Sequence, residues 1–140
     1  MIWKNKSTVE QLQMRSHNTL SDHLGIVFTE VGEDYLCAKM PVDHRTVQPM
    51  GMLHGGASVV LAETLGSVAG VMTVDANTQS IVGLDINANH MRPVKEGFVY
   101  GRVSPLHLGK TTQVWHIEIK NEEGKLVCVS RLTIAIIELK

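Results

Sequence analysis

Only two of the 140 residues are cysteine, Cys37 and Cys128, and they stand far apart in no CxxC or Cys/His ligand spacing. That argues against both a disulfide scaffold and a structural zinc site, and favours two reduced thiols in a cytosolic protein. A basic excess is also missing. With 13 Lys+Arg against 14 Asp+Glu the net charge is −1, so nucleic acid is not expected as a partner. The opening Met1-Ile2-Trp3-Lys4-Asn5-Lys6-Ser7 has no apolar core of a secretory signal, and a cytoplasmic location is expected. None of the seven histidines falls in an HExxH or comparable pattern, so no metal is expected. No GxSxG elbow surrounds any serine, which argues against a serine hydrolase, and Gly109-Lys110 lacks the preceding glycine of a phosphate-binding loop. Internal repeats, linkers and low-complexity tracts are absent.

Long apolar runs are scarce too. The one exception covers residues 55–74, in which Glu63 is the only charge. A central acid costs roughly 2.5–3.5 kcal/mol on membrane insertion. With Gly55, Gly56, Gly66 and Gly70 added, the run is expected to be a helix buried inside a folded domain, with no membrane partner.

A 44% apolar and 19% charged chain of this length is expected to form one domain over residues 1–140. Ser7, with Glu10 three residues on, is expected to cap a short helix over 8–15, followed by helical residues 18–24. Strands are expected at 26–31 and 35–40, a loop at 41–50, and the one long helix at about 54–73. Four further strands follow at 80–92, 97–108, 111–120 and 125–137. Within 80–92, Val82, Leu84, Ile86 and Ala88 alternate with Asp85, Asn87 and Asn89, which predicts two distinct faces. Pro105 predicts a bulge or an edge position. The class is α+β. A helix apolar nearly all round must be enclosed, and a curved antiparallel sheet of five to six strands is its natural wrapping.

The long helix concentrates the chemistry. Gly55-Gly56 at its start offers free backbone N–H groups to an oxygen, with His54 beside them. Glu63 is costly to ionise in so apolar a segment unless something compensates it, and Ser67 shares its face, with Thr64 adjacent. Nine residues separate His54 from Glu63, about 13–14 Å along the axis and roughly half a turn around it. One reacting atom cannot touch both in one chain. If both serve one site, it must be shared between two subunits, which predicts an obligate dimer. Plainer roles exist for each residue: Glu63 as a buried structural acid, His54 as a cap, the glycines as packing, Ser67 and Thr64 as partners of helix carbonyls. Two basic patches, His90-Met91-Arg92-Pro93 and His107-Leu108-Gly109-Lys110, suit the phosphates of a nucleotide-bearing ligand, or are simply solvated strand ends.

Several segments carry a resemblance: Met40-Pro41-Val42-Asp43, Gln48-Pro49, Leu53-His54-Gly55-Gly56-Ala57-Ser58, Leu61-Ala62-Glu63-Thr64 and Asn87-Ala88-Asn89-His90. The chain resembles the hotdog-fold acyl-CoA thioesterases, specifically the Arthrobacter-type 4-hydroxybenzoyl-CoA thioesterase group. Within that group it is most like the 1,4-dihydroxy-2-naphthoyl-CoA thioesterases and the proofreading thioesterases of enterobactin synthesis. The resemblance implies hydrolysis of acyl-CoA, most readily of an aromatic acyl group of the naphthoyl or benzoyl type, in a homodimer or homotetramer, with no cofactor. It also leaves open a proofreading role on a mischarged aryl or acyl carrier protein, or a hotdog hydratase or dehydratase activity. By the family pattern Glu63 is nucleophile or general base, Ser67 holds the attacking water, Gly55 N–H polarises the carbonyl, and Gln48 and His54 orient the thioester from the partner chain. Thr64 and Gly83, His90, Met91, Arg92 and Pro93, and the turn of His107, Leu108, Gly109, Lys110, Thr111 and Thr112, are implied to hold the substrate and its CoA arm. Met50 replaces an expected Phe beside the acyl pocket, and Lys110-Thr111 replaces a commonly Arg-containing turn.

Overall fold

The computed structural model describes residues 1–140. Helices α1 (Val9–Arg15) and α2 (Leu20–His23) precede strands β1 (Val27–Val31) and β2 (Leu36–Pro41). Helix α3 (Gly55–Thr73) follows, then β3 (Gln79–His90), β4 (Phe98–Leu108), β5 (Thr112–Lys120) and β6 (Leu126–Glu138). All six strands join one antiparallel sheet in the order β1-β2-β4-β5-β6-β3. The class is α+β, with the long helix lying on the sheet in the hotdog manner.

The first helix is capped one residue later than expected. Ser7-x-x-Glu10 and Thr8-x-x-Gln11 are overlapping capping boxes, and the second forms: Thr8 Oγ1 accepts from Gln11 N at 3.1 Å while Gln11 Oε1 accepts from Thr8 N at 2.9 Å. Ser7 is instead buried, its hydroxyl accepting from Arg15 Nη1 at 2.9 Å. The second helix is shorter than residues 18–24, because Thr19 caps it by accepting from Asp22 N.

Pro105 does lie at a bulge, between Pro105 and His107 of β4. Strand β2 reaches only Val103, so the missing N–H of Pro105 costs no ladder bond on that side. The expected faces of the third strand are corrected by a second bulge, between Gly83 and Asp85. It changes the alternation partway along, so Val82 and Leu84 are exposed at 42% and 59% while Ile86 and Ala88 pack against the core.

The core lies between α3 and the sheet. Leu61, Leu65, Ala69 and Met72 meet Trp115, Ile117, Ile119, Leu132 and Ile134, all at most 1% exposed. One buried polar chain crosses this interface: Trp115 Nε1 donates to Gln113 Oε1 at 3.0 Å, Gln113 Nε2 to Thr73 Oγ1 at 2.7 Å, and Thr73 Oγ1 to Gly70 O at 2.8 Å. Each link satisfies a group that would otherwise be costly to bury. The expectation that α3 is enclosed all round is corrected: ten of its nineteen residues are buried, while Glu63 and Val71 are exposed. A single sheet covers one side of a helix and no more.

Helix and sheet approach closely at Gly101 of β4, where a Cβ would lie 2.7 Å from Leu65 Cδ1 and 3.3 Å from Leu61 Cδ2, both fully buried. Gly101→Ala is therefore expected to lower stability by about 1–3 kcal/mol through overpacking. Urea unfolding followed by fluorescence should show a reduced midpoint with an unchanged slope.

Candidate active site

The loop between β2 and α3 fixes the helix start. Thr46, 2% exposed, donates its hydroxyl to Pro41 O at 2.7 Å and accepts from Asp43 N at 3.1 Å. Its carbonyl takes His54 N–H at 2.8 Å, and Leu53 N–H binds Val94 O at 2.7 Å. Arg45 grips both carboxylate oxygens of Asp43, at 3.1 and 2.7 Å, and this pairing holds the Asp43 carboxyl down at about 2. A tight turn with Gly51 at φ +79° then places Gln48 beside the helix start. Gln48 Oε1 accepts from Met50 N, which leaves its amide N–H groups free to donate.

His54 is the N-cap: its Nδ1 accepts from Gly56 N at 2.7 Å. That bond fixes the tautomer, with the proton of the neutral ring on Nε2. The Gly55 N–H has no partner within the chain. Gly55 also admits a neighbour that no other residue would, since a Cβ there would lie 2.9 Å from His90 Nε2. Gln48, Gly55, His90, Met91, Arg92 and Pro93 line one cavity of about 380 Å³. Arg92 is held there by donating Nη1 to Leu126 O at 2.9 Å. Sequence reasoning missed Ser58, which is 1% exposed and also lines this cavity. It lies one turn after His54 on the same face, a spacing that does carry the signal.

Glu63 is elsewhere. It is exposed, so this chain alone does not provide the desolvation expected of its apolar segment. Its carboxylate lies over β3 at Gly83, where a Cβ would stand 3.2 Å from Oε2. With Thr64, Ser67 and Val68 it lines a separate open hollow. Thr64 Oγ1 bonds Ser21 Oγ at 3.2 Å, tying α2 to α3, and the Ser67 hydroxyl makes no hydrogen bond within the chain. The two are thus not spent on helix carbonyls.

The turn from His107 to Thr112 does not join His90–Pro93 as one patch. It closes with Gly109 N–H on Thr112 O at 2.9 Å, and Thr112 pairs with Ala135, which pairs with Val82. The turn is therefore level with Gly83 and Glu63, whereas His90 pairs with Cys128 at the other end of β3. The expected residues fall into two half-sites: Gln48, His54, Gly55 and His90 to Pro93 in one, Glu63, Thr64, Ser67 and Gly83 in the other. Eight helical residues, about 12 Å, separate Gly55 from Glu63. No three His, Cys, Asp or Glu side chains converge anywhere in the structure.

Residues 50–128 match the family model of the thioesterase superfamily, more than half of the chain. A 1,4-dihydroxy-2-naphthoyl-CoA hydrolase of Escherichia coli is 55% identical over 137 residues, covering 98% of this chain and 100% of that protein. The proofreading thioesterase EntH of Cronobacter sakazakii is 53% identical over 137 residues, covering 98% of this chain and 99% of the relative. The crystal structure of a thioesterase from Haemophilus influenzae superposes with a TM-score of 0.96 at 53% identity, covering 99% of this chain and 96% of that one. Agreement of this extent, in sequence from end to end and in backbone, makes the chain a member of the thioesterase superfamily with the hotdog fold.

Proposed function

We propose that this thioesterase hydrolyses aryl-CoA thioesters at a site shared by two copies of the chain, the α3 N-terminus of one meeting Glu63 of the other. The observation that carries this reading is the separation of the half-sites along a single helix and a single strand. Strand β3 is an edge of the sheet, twelve residues long, and one side of it is unpaired. If β3 pairs antiparallel with its own copy about a two-fold axis at Asn87, Ile86 stands opposite Ala88 on the core face and, with Leu84 as the extra residue of the bulge, Gly83 of one copy stands opposite His90 of the other. The carboxylate over Gly83 then faces the partner's helix start, and the exposed stripe of α3 is covered.

At such a site the thioester carbonyl accepts from Gly55 N–H, a donor fixed before the reaction and worth about 3–4 kcal/mol of barrier. Gln48, through its free amide, and His54 orient the thioester. Glu63 takes a proton from a water held on Ser67 Oγ as that water attacks the carbonyl carbon; a C–O bond forms, the C–S bond breaks, and the proton passes from Glu63 to the leaving thiolate. If the Glu63 carboxylate attacks directly, the C–S bond breaks to give a mixed anhydride, and water then cleaves that anhydride, restoring the carboxylate and supplying the proton of the thiol. The step needs no metal or cofactor. His90 to Pro93 of one copy and the His107–Thr112 turn of the other flank the same region and carry the CoA arm, with Arg92 and Lys110 as its cations. The aromatic acyl group is supported by the E. coli relative, named for 1,4-dihydroxy-2-naphthoyl-CoA. The EntH relative supports a second reading, proofreading of mischarged aryl carrier proteins, in which only the leaving thiol differs.

Glu63→Gln is expected to nearly abolish thiol release from benzoyl-CoA while leaving folding and substrate binding intact. Retention of more than about a tenth of wild-type kcat, a loss below 1.4 kcal/mol, would remove Glu63 from the chemistry. The sharing of the site has its own test. Glu63→Gln and Gln48→Ala chains, co-refolded in equal amounts, should regain about a quarter of wild-type activity, because half the dimers are mixed and each carries one intact site. Activity no higher than the mean of the two pure variants would place both residues in one chain's site.

A further inference from the structure

A cleft of about 300 Å³ runs between α1–α2 and α3, and it is continuous with the Glu63 hollow through Thr64, Ser67 and Val68, which line both. Leu12, Val68, Val71 and Met72 supply its apolar walls, and hydroxyls line the remainder. The only charged residue in its lining is Arg15, which is absent from the hollow around Glu63. A group attached to a thioester carbon beside Glu63 and Ser67 would extend into this cleft with its far end towards Arg15.

Arg15 is held yet uncompensated. Its Nη1 donates to the buried Ser7 hydroxyl at 2.9 Å, which explains why Ser7 is drawn inside rather than capping α1. Its Nε and Nη2 donate to nothing in the chain, and no carboxylate pairs with it. A guanidinium with a free edge beside an apolar slot matches a planar oxygen acceptor, which it can bind by two parallel N–H bonds. Helix C-terminal placement alone would favour any cation here, lysine as well as arginine, but would not require an anchor to a buried serine.

We propose that Arg15 is a specificity-determining residue that selects acyl groups bearing an oxygen at the end distal to the thioester, a carboxylate or a phenolic hydroxyl. The proposal rests on the shared-site reading, because it takes the acyl group to lie beside Glu63 and Ser67. It goes beyond that reading by naming what the acyl group must carry.

The test uses thioesters that differ only in the distal oxygen: benzoyl-CoA against 4-hydroxybenzoyl-CoA and 4-carboxybenzoyl-CoA, and hexanoyl-CoA against adipoyl-CoA. Wild-type kcat/KM should favour the oxygen-bearing member of the pairs it hydrolyses. Arg15→Gln should collapse that preference by about tenfold, the loss expected for a charge-assisted bond at an exposed rim. Arg15→Lys should restore part of the preference for the carboxylates and little of that for the phenol. A merely structural Arg15 would depress both members equally and shift the unfolding midpoint. That result, or a wild-type preference below twofold in every pair, would overturn the proposal. Failure of the underlying reading shows separately, as activity retained by Glu63→Gln on the same esters.

Discussion

One sheet can cover only one side of one helix, and the rest of this molecule follows from that limit. Leu61, Ala62, Leu65 and Ala69 form the stripe of α3 that the sheet buries completely. The neighbouring ridge at four-residue spacing, Gly55, Val59, Glu63, Ser67 and Val71, is left uncovered or partly so. An apolar helix with an open ridge is unusual in a finished core and natural in half of an interface. Gly55 of one half-site and Glu63 and Ser67 of the other lie on that ridge.

Strand β3 links the two ends of the ridge, and its bulge decides whether the link works. Gly83 and His90 are seven residues apart, an odd spacing, so a regular strand would point them to opposite faces of the sheet. Both face α3: Gly83 lies under Glu63 and His90 lies against Gly55. The extra residue at Leu84 restores the common side. It also turns Leu84 outward, which accounts for a large apolar side chain exposed at 59%. The irregularity that broke the expected alternation is therefore the feature that aligns the half-sites.

Much of this was legible in the residues. Periodicity located every strand and the long helix to within a residue or two, because each pattern is long and the turn residues between them are strong. The separation of His54 from Glu63 followed from helical rise alone, since that distance does not depend on tertiary packing. Other features depended on competition that the sequence does not rank. Two overlapping capping boxes compete at Ser7 and Thr8, and burial of Ser7 against Arg15 decides between them. The exposure of Glu63 was hidden for a related reason: an apolar run reports that surfaces will be covered, but not whether the cover comes from the same chain.

The capping of α3 narrows the chemistry further. Four N–H groups at a helix start lack intrahelical partners, and any of them can attract a developing oxyanion. Here the Gly56 N–H is spent on His54 Nδ1, while those of Ala57 and Ser58 point to His54 O. Only the Gly55 N–H remains, so an oxyanion bound at this helix end would be directed to one place rather than spread over it. The same bond settles what His54 can do. With Nδ1 accepting and Nε2 carrying the ring proton, the imidazole has no lone pair to offer, and removing a proton from water would require breaking the cap. His54 can donate and position; it cannot serve as base without giving up its cap on Gly56 N–H. Within the proposed site the base is therefore not His54, and the carboxylate that faces it from the other half, Glu63, fills that role.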